Sequence, residues 1–79
     1  MIDDVILKNI LNTMNNFGIP HQAQMFFNVI IVPNTDYKMV FNTNTTPWTC
    51  HLMKNNEEIF KGNPTSVIIN LKYRLNKGI

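Results

Sequence analysis

The spacing of apolar residues changes period near Gly18-Ile19-Pro20, and that change limits the folds available. Before it, Ile6, Ile10, Met14 and Phe17 recur at intervals of three and four, with Leu7 and Leu11 widening the stripe. This predicts an amphipathic helix from Asp3 to Phe17. Asp3 and Asp4 suit the positive end of the helix dipole, Gly18 supplies a left-handed position after the last turn, and Pro20 prevents continuation.

After the change, apolar residues fall at every second position, as strands require. Met25 to Val32 is rich in β-branched and aromatic residues and stops at the turn formers Pro33-Asn34-Thr35-Asp36. It reads as a single central strand with two apolar faces, Phe26, Ile30 and Val32 on one and Met25, Phe27, Val29 and Ile31 on the other. A second strand follows, in which Tyr37, Met39, Phe41 and Thr43 alternate with Lys38, Val40 and Asn42. Beyond a loop from Asn44 to Pro47, a third strand puts Trp48, Cys50 and Leu52 on one face and Thr49, His51 and Met53 on the other. Lys54-Asn55-Asn56-Glu57 is a hairpin turn into a short fourth strand, Glu58 to Lys61.

Periodicity alone leaves the last segment open. As a strand, Val67, Ile69, Leu71, Tyr73 and Leu75 alternate with polar residues; as a helix, Val67, Ile68, Leu71 and Leu75 share one face. Asn63 as an N-cap followed by Pro64 favours the helix, and Gly78 after Lys77 is a suitable stop. The expectation is one α+β domain over residues 1–79, with an N-terminal helix, a four-stranded antiparallel sheet and a C-terminal helix. A C-terminal strand is the alternative.

At 79 residues there is room for one core, and 44% hydrophobic against 15% charged residues is the composition of a folded chain. The lone Cys50 cannot form an internal disulfide, which small secreted domains usually need. The acidic start Met1-Ile2-Asp3-Asp4 is unlike a signal peptide, and no apolar stretch approaches the length that spans a bilayer. These features predict a cytoplasmic chain with no membrane partner. The triplet Asn44-Thr45-Thr46 fits a glycosylation acceptor, but such triplets arise by chance in an Asn-rich chain.

Chemical sites are hard to build from these residues. Cys50 and His51 are adjacent, so on a strand they point to opposite faces, and no second cysteine completes a zinc pattern. His21 and His51 lack a third ligand at a fixed spacing, and Asp3, Asp4, Asp36, Glu57 and Glu58 all fall at helix starts or turns. Ser66 is the only serine, and Gly18, Gly62 and Gly78 stand too far apart for a phosphate loop. The sequence predicts no enzyme activity, no cofactor and no metal.

What remains is recognition by surface. If both helices cover the face holding Met39, Phe41, Trp48, Cys50 and Leu52, then Val40, His51 and Met53 point outward, with Phe26 or Phe27 beside them. An apolar, methionine-containing patch on an open sheet face is more often an interface than a solvated surface. The candidate protein-binding residues are therefore Phe26, Val40, His51 and Met53, together with Trp48 should it lie exposed after Pro47. The partner is a larger protein or a second copy. The abundance of Asn, Ile and Lys points to AT-rich coding, which with the small size is similar in style to accessory proteins of phages and plasmids, including inhibitors of host-defence enzymes. No motif carries that likeness.

Two alternatives come from other classes. Residues 59–79 hold Lys61, Lys72, Arg74 and Lys77 with no acid, so this end could bind nucleic acid through those cations, with Tyr73 or Trp48 stacking on a base. The other is a dimer that sequesters a small anionic ligand in its cleft, which no particular residue favours.

Overall fold

The computed structural model describes residues 4–24 and 28–77. The elements are α1 (Asp4–Asn16), β1 (Gln22–Gln24), β2 (Val29–Ile31), β3 (Tyr37–Asn42), β4 (Thr49–Lys54), β5 (Glu57–Gly62) and α2 (Pro64–Lys77). The fold is α+β, with an antiparallel sheet whose strands lie side by side in chain order, β1-β2-β3-β4-β5.

Local chemistry ends each helix where it does. At the end of α1, Gly18 takes φ 68°. Its N–H donates to the Asn15 carbonyl at 3.0 Å and that of Ile19 to the Met14 carbonyl at 3.0 Å. This is a Schellman closure, sealed by the buried pair Met14 and Ile19. At the start of α2, the Ser66 N–H donates to Asn63 Oδ1 at 2.8 Å, and the Val67 N–H donates to the Asn63 carbonyl at 3.1 Å. The N-cap thus decides the segment in favour of a helix, and Val67, Ile68 and Leu71 form its buried stripe. Gly78, the expected stop, lies outside the described residues.

The strand expected from Met25 to Val32 needs correction, because the sheet has five strands where four were expected. Gln22–Gln24 forms an edge strand, β1, paired antiparallel with β2 in the register Gln22↔Ile31, Ala23↔Ile30 and Gln24↔Val29. Asn28, at φ 55°, precedes β2 in the left-handed region that asparagine tolerates better than most residues. Residues 25–27 fall outside the described set. The β4–β5 hairpin does turn at Asn55 and Asn56, both at positive φ as a two-residue reversal of this kind demands.

One core serves the whole molecule. Ile10, Met14 and Ile19 from the α1 region, Ile30, Met39, Phe41, Cys50 and Leu52 from the strands, and Val67, Ile68 and Leu71 from α2 belong to a single buried cluster. Among the described residues no polar or charged side chain is buried. Both helices therefore pack on the same side of the sheet, α2 across β4 and β5 and α1 against α2.

The sheet edges differ from its middle. β1 has three residues, all exposed. β5 is interrupted by a bulge, since Leu52 pairs with Phe60 while Met53 pairs with Glu58, leaving Ile59 without an opposite.

Candidate functional site: the open face of the sheet

Strand registers define the side that the helices leave uncovered. One row across the strands is Val29, Val40, His51 and Lys61, and the next is Ile31, Lys38, Met53 and Glu58. Each of these alternates with a neighbour aimed into the core, such as Ile30, Met39 or Leu52, all at 0% exposure. Val29, Ile31, Val40, His51 and Met53 are half-buried, shielded by one another within the sheet. Among the described residues no helix or strand lies over them.

Four of these side chains, Val29, Ile31, Val40 and Met53, form an apolar band running over three adjacent strands and bounded by polar groups. The His51 ring donates from Nδ1–H to the Glu58 carboxylate, which can only accept. Lys38 sends its ammonium past β4 to Asn56 Oδ1 in the β4–β5 turn at 3.0 Å, so its charge is drawn towards the end of the face while its methylenes remain beside the band. Lys61 flanks His51 from β5.

The candidate residues divide on this geometry. Val40, His51 and Met53 occupy the open face together. Trp48 does not belong with them: it is 6% exposed and meets Phe41 edge-on at 6.1 Å between ring centroids, so it serves the core. Phe26 lies outside the described residues. Val29 and Ile31 join the patch, although the sequence reading placed them on a strand buried on both sides and so did not single them out. Their signal was the same alternation, which becomes informative once β2 is known to be short.

The basic residues are dispersed. Lys61 sits on the open face, whereas α2 packs on the opposite side of the sheet. Along α2, at about 100° per residue, Lys72 and Arg74 lie on opposite flanks of the helix. Arg74 is further held by Asn70, Nε to Oδ1 at 2.6 Å. Tyr73, 64% exposed, and Lys77 remain on the outer side, the ammonium lying 5.7 Å from the ring centroid. No single surface gathers these five residues.

The remaining chemistry-bearing groups are held in structural roles. Cys50 is fully buried, and burial pushes its thiol up to about 12. His21 donates from Nδ1 to the Ile19 carbonyl at 2.9 Å. Among the described residues no group of three or more His, Cys, Asp or Glu side chains is placed to hold a metal ion, and no helix is long and apolar enough to cross a membrane. Hollows formed by the described residues include one of about 160 Å³ between the helices, lined by residues such as Ile6, Ile10 and Ile68, and one of about 270 Å³ between the hairpin loops beside Asp36 and Asn55. Both are below the roughly 300 Å³ at which small-molecule sites begin.

No protein-family model, curated protein or solved structure matches the chain.

Proposed function

We propose that this chain is a non-catalytic docking module that engages another protein through the open face of its sheet. The observation that carries this reading is the apolar band of Val29, Ile31, Val40 and Met53 on the side without helices. An antiparallel sheet covered on one side normally alternates to polar residues on the other, because aliphatic side chains there gain nothing from facing water. A partner that removes the band from water supplies the missing stabilisation, at roughly 25 cal/mol per Å² of apolar surface. His51, Glu58 and Lys61 at the β5 side form a polar rim of the kind expected around such a contact, while Lys38 lies within the band, between Ile31 and Met53.

In this reading the chain works by covering part of a larger protein, and its size and AT-rich coding suit an inhibitor or modulator made by a phage or mobile element inside a host cytoplasm. The test is affinity capture from host cells, comparing the wild type with Val40→Asp and Met53→Asp variants shown to be folded by circular dichroism. A protein retained by the wild type and lost by both variants supports the reading; identical profiles for all three overturn it.

Nucleic-acid binding is less favoured because its five residues are dispersed over opposite sides of the molecule. Sequestration of a small ligand is less favoured because neither hollow reaches the size of such a site.

A further inference from the structure

The two rows on the open face are complementary to each other. Both are aliphatic at the β2 end, Val29 in one and Ile31 in the other, and both end in a charge on β5, Lys61 in one and Glu58 in the other. The rows lie two residues apart along β2, β3 and β4, about 7 Å, and three apart along β5, where the bulge adds one. A two-fold axis lying in the plane of the face, midway between the rows and perpendicular to the strands, exchanges them. Lys61 then meets the partner's Glu58, Val29 meets the partner's Ile31, and His51 meets the partner's Met53. Val40 meets the methylenes of the partner's Lys38, whose charge is already drawn off towards Asn56.

We propose that the occupant of the open face is a second copy of this chain, stacked about this axis. The proposal rests on the docking reading above and names its partner. The axis reverses strand direction but keeps the two sheets aligned, a packing that natural sheets adopt at about 30° to one another. At about 10 Å from the axis centre, where Lys61 and Glu58 lie, such a rotation displaces side chains by about 5 Å, within the combined reach of lysine and glutamate. An isologous contact must be self-complementary, and the opposite charges on neighbouring rows supply that property without any change in the chain.

The edges do not offer the same opportunity. β1 is too short for an extended ladder, and β5 combines a bulge with Glu57, Glu58 and Lys61, features that discourage strand addition. Area sets the strength of the pair. Five strands at about 4.8 Å, the longer three with six residues at about 3.4 Å, outline a face of at most roughly 20 by 20 Å, about 400 Å². This is about half of the roughly 800 Å² per partner of standard interfaces, so the pair is weak, reversible and concentration-dependent and yields the face to a tighter partner.

Sedimentation equilibrium from micromolar to millimolar concentration tests this with the wild type, Glu58→Lys, Lys61→Glu and the double variant. The wild type should pair. Each single substitution sets like charges against each other twice per dimer and should raise Kd at least tenfold. An equimolar mixture of the two single variants should pair as well as the wild type, because every contact is again between opposite charges, and the double variant should do the same. A wild type monomeric at every concentration overturns the proposal, as does a mixture no tighter than its components. If the charge exchange fails while Val40→Asp and Met53→Asp still lose a captured protein, the second copy is excluded and the docking reading survives. If the exchange succeeds while capture is unaffected, the second copy stands and the foreign partner falls.

Discussion

Along β3 and β4, Met39, Phe41, Cys50 and Leu52 are 0–3% exposed, whereas their immediate chain neighbours Val40, His51 and Met53 are half-buried on the other side of the same sheet. The two sets share strands, register and backbone hydrogen bonds; they differ only in what lies above them. On the helix side these residues belong to one buried cluster with Ile10 and Met14 of α1 and Val67, Ile68 and Leu71 of α2. On the open side packing accounts for little, so Val29, Ile31, Val40 and Met53 call for another reason to be apolar. That contrast is the ground on which the docking proposal rests.

Substitutions can break or sharpen the contrast. The largest effect is expected from Leu52→Ala, which removes a fully buried side chain and should cost about 2–5 kcal/mol in urea unfolding. Its neighbour Met53→Ala, on the open face, should cost less than about 1 kcal/mol in the same measurement. Equal losses at the two positions would mean that the open side is covered after all.

Next comes the pH dependence set by Cys50. Folding holds its thiol protonated up to about 12, against an ordinary value of 9.0. Between those values the unfolded chain has lost a proton that the native chain keeps. Stability is therefore full below pH 9 and falls by about 1.4 kcal/mol per pH unit as pH rises towards 12. Cys50→Ala should flatten this part of the alkaline limb relative to wild type, read as the difference between their unfolding midpoints. In the native wild type the thiol should also resist alkylating reagents until the chain unfolds.

A smaller effect is expected at the roof of the covered side. Asn63→Ala removes the acceptor for the Ser66 N–H and should destabilise the protein by about 1 kcal/mol, with the loss largely restored in Asn63→Asp. The smallest belongs to the rim. Glu58→Gln weakens the contact with His51 between side chains 48% and 28% exposed, and should change monomer stability by less than about 0.5 kcal/mol in thermal unfolding at physiological salt. A larger change would transfer Glu58 from the rim to the framework of the fold.

Much of this architecture was legible from residue order. Ile6, Ile10 and Met14 identified α1, Gly18 its end, and Asn63-Pro64 the start of α2, because caps and helical periodicity act within a few residues of themselves. The alternation from Tyr37 to Asn42 and from Thr49 to Lys54 likewise assigned Val40, His51 and Met53 to one side. What escaped was the first hairpin. The segment from Met25 to Val32, apolar except at Asn28, reads as one long strand, and nothing in the composition of Gln22-Ala23-Gln24 announces a strand, because an exposed edge has no buried face to enforce alternation. The fate of Trp48 was also hidden, since its position beside Pro47 does not reveal the Phe41 ring against which it packs.

The short β1 and the bulged, charged β5 also limit how the molecule can assemble. An incoming chain finds no straight ladder of free amides to copy at either border, so successive subunits cannot be added in a row to grow a filament. Face-to-face pairing as proposed, by contrast, closes after one step, so a chain with an apolar sheet face that paired in this way would stop at a finite assembly.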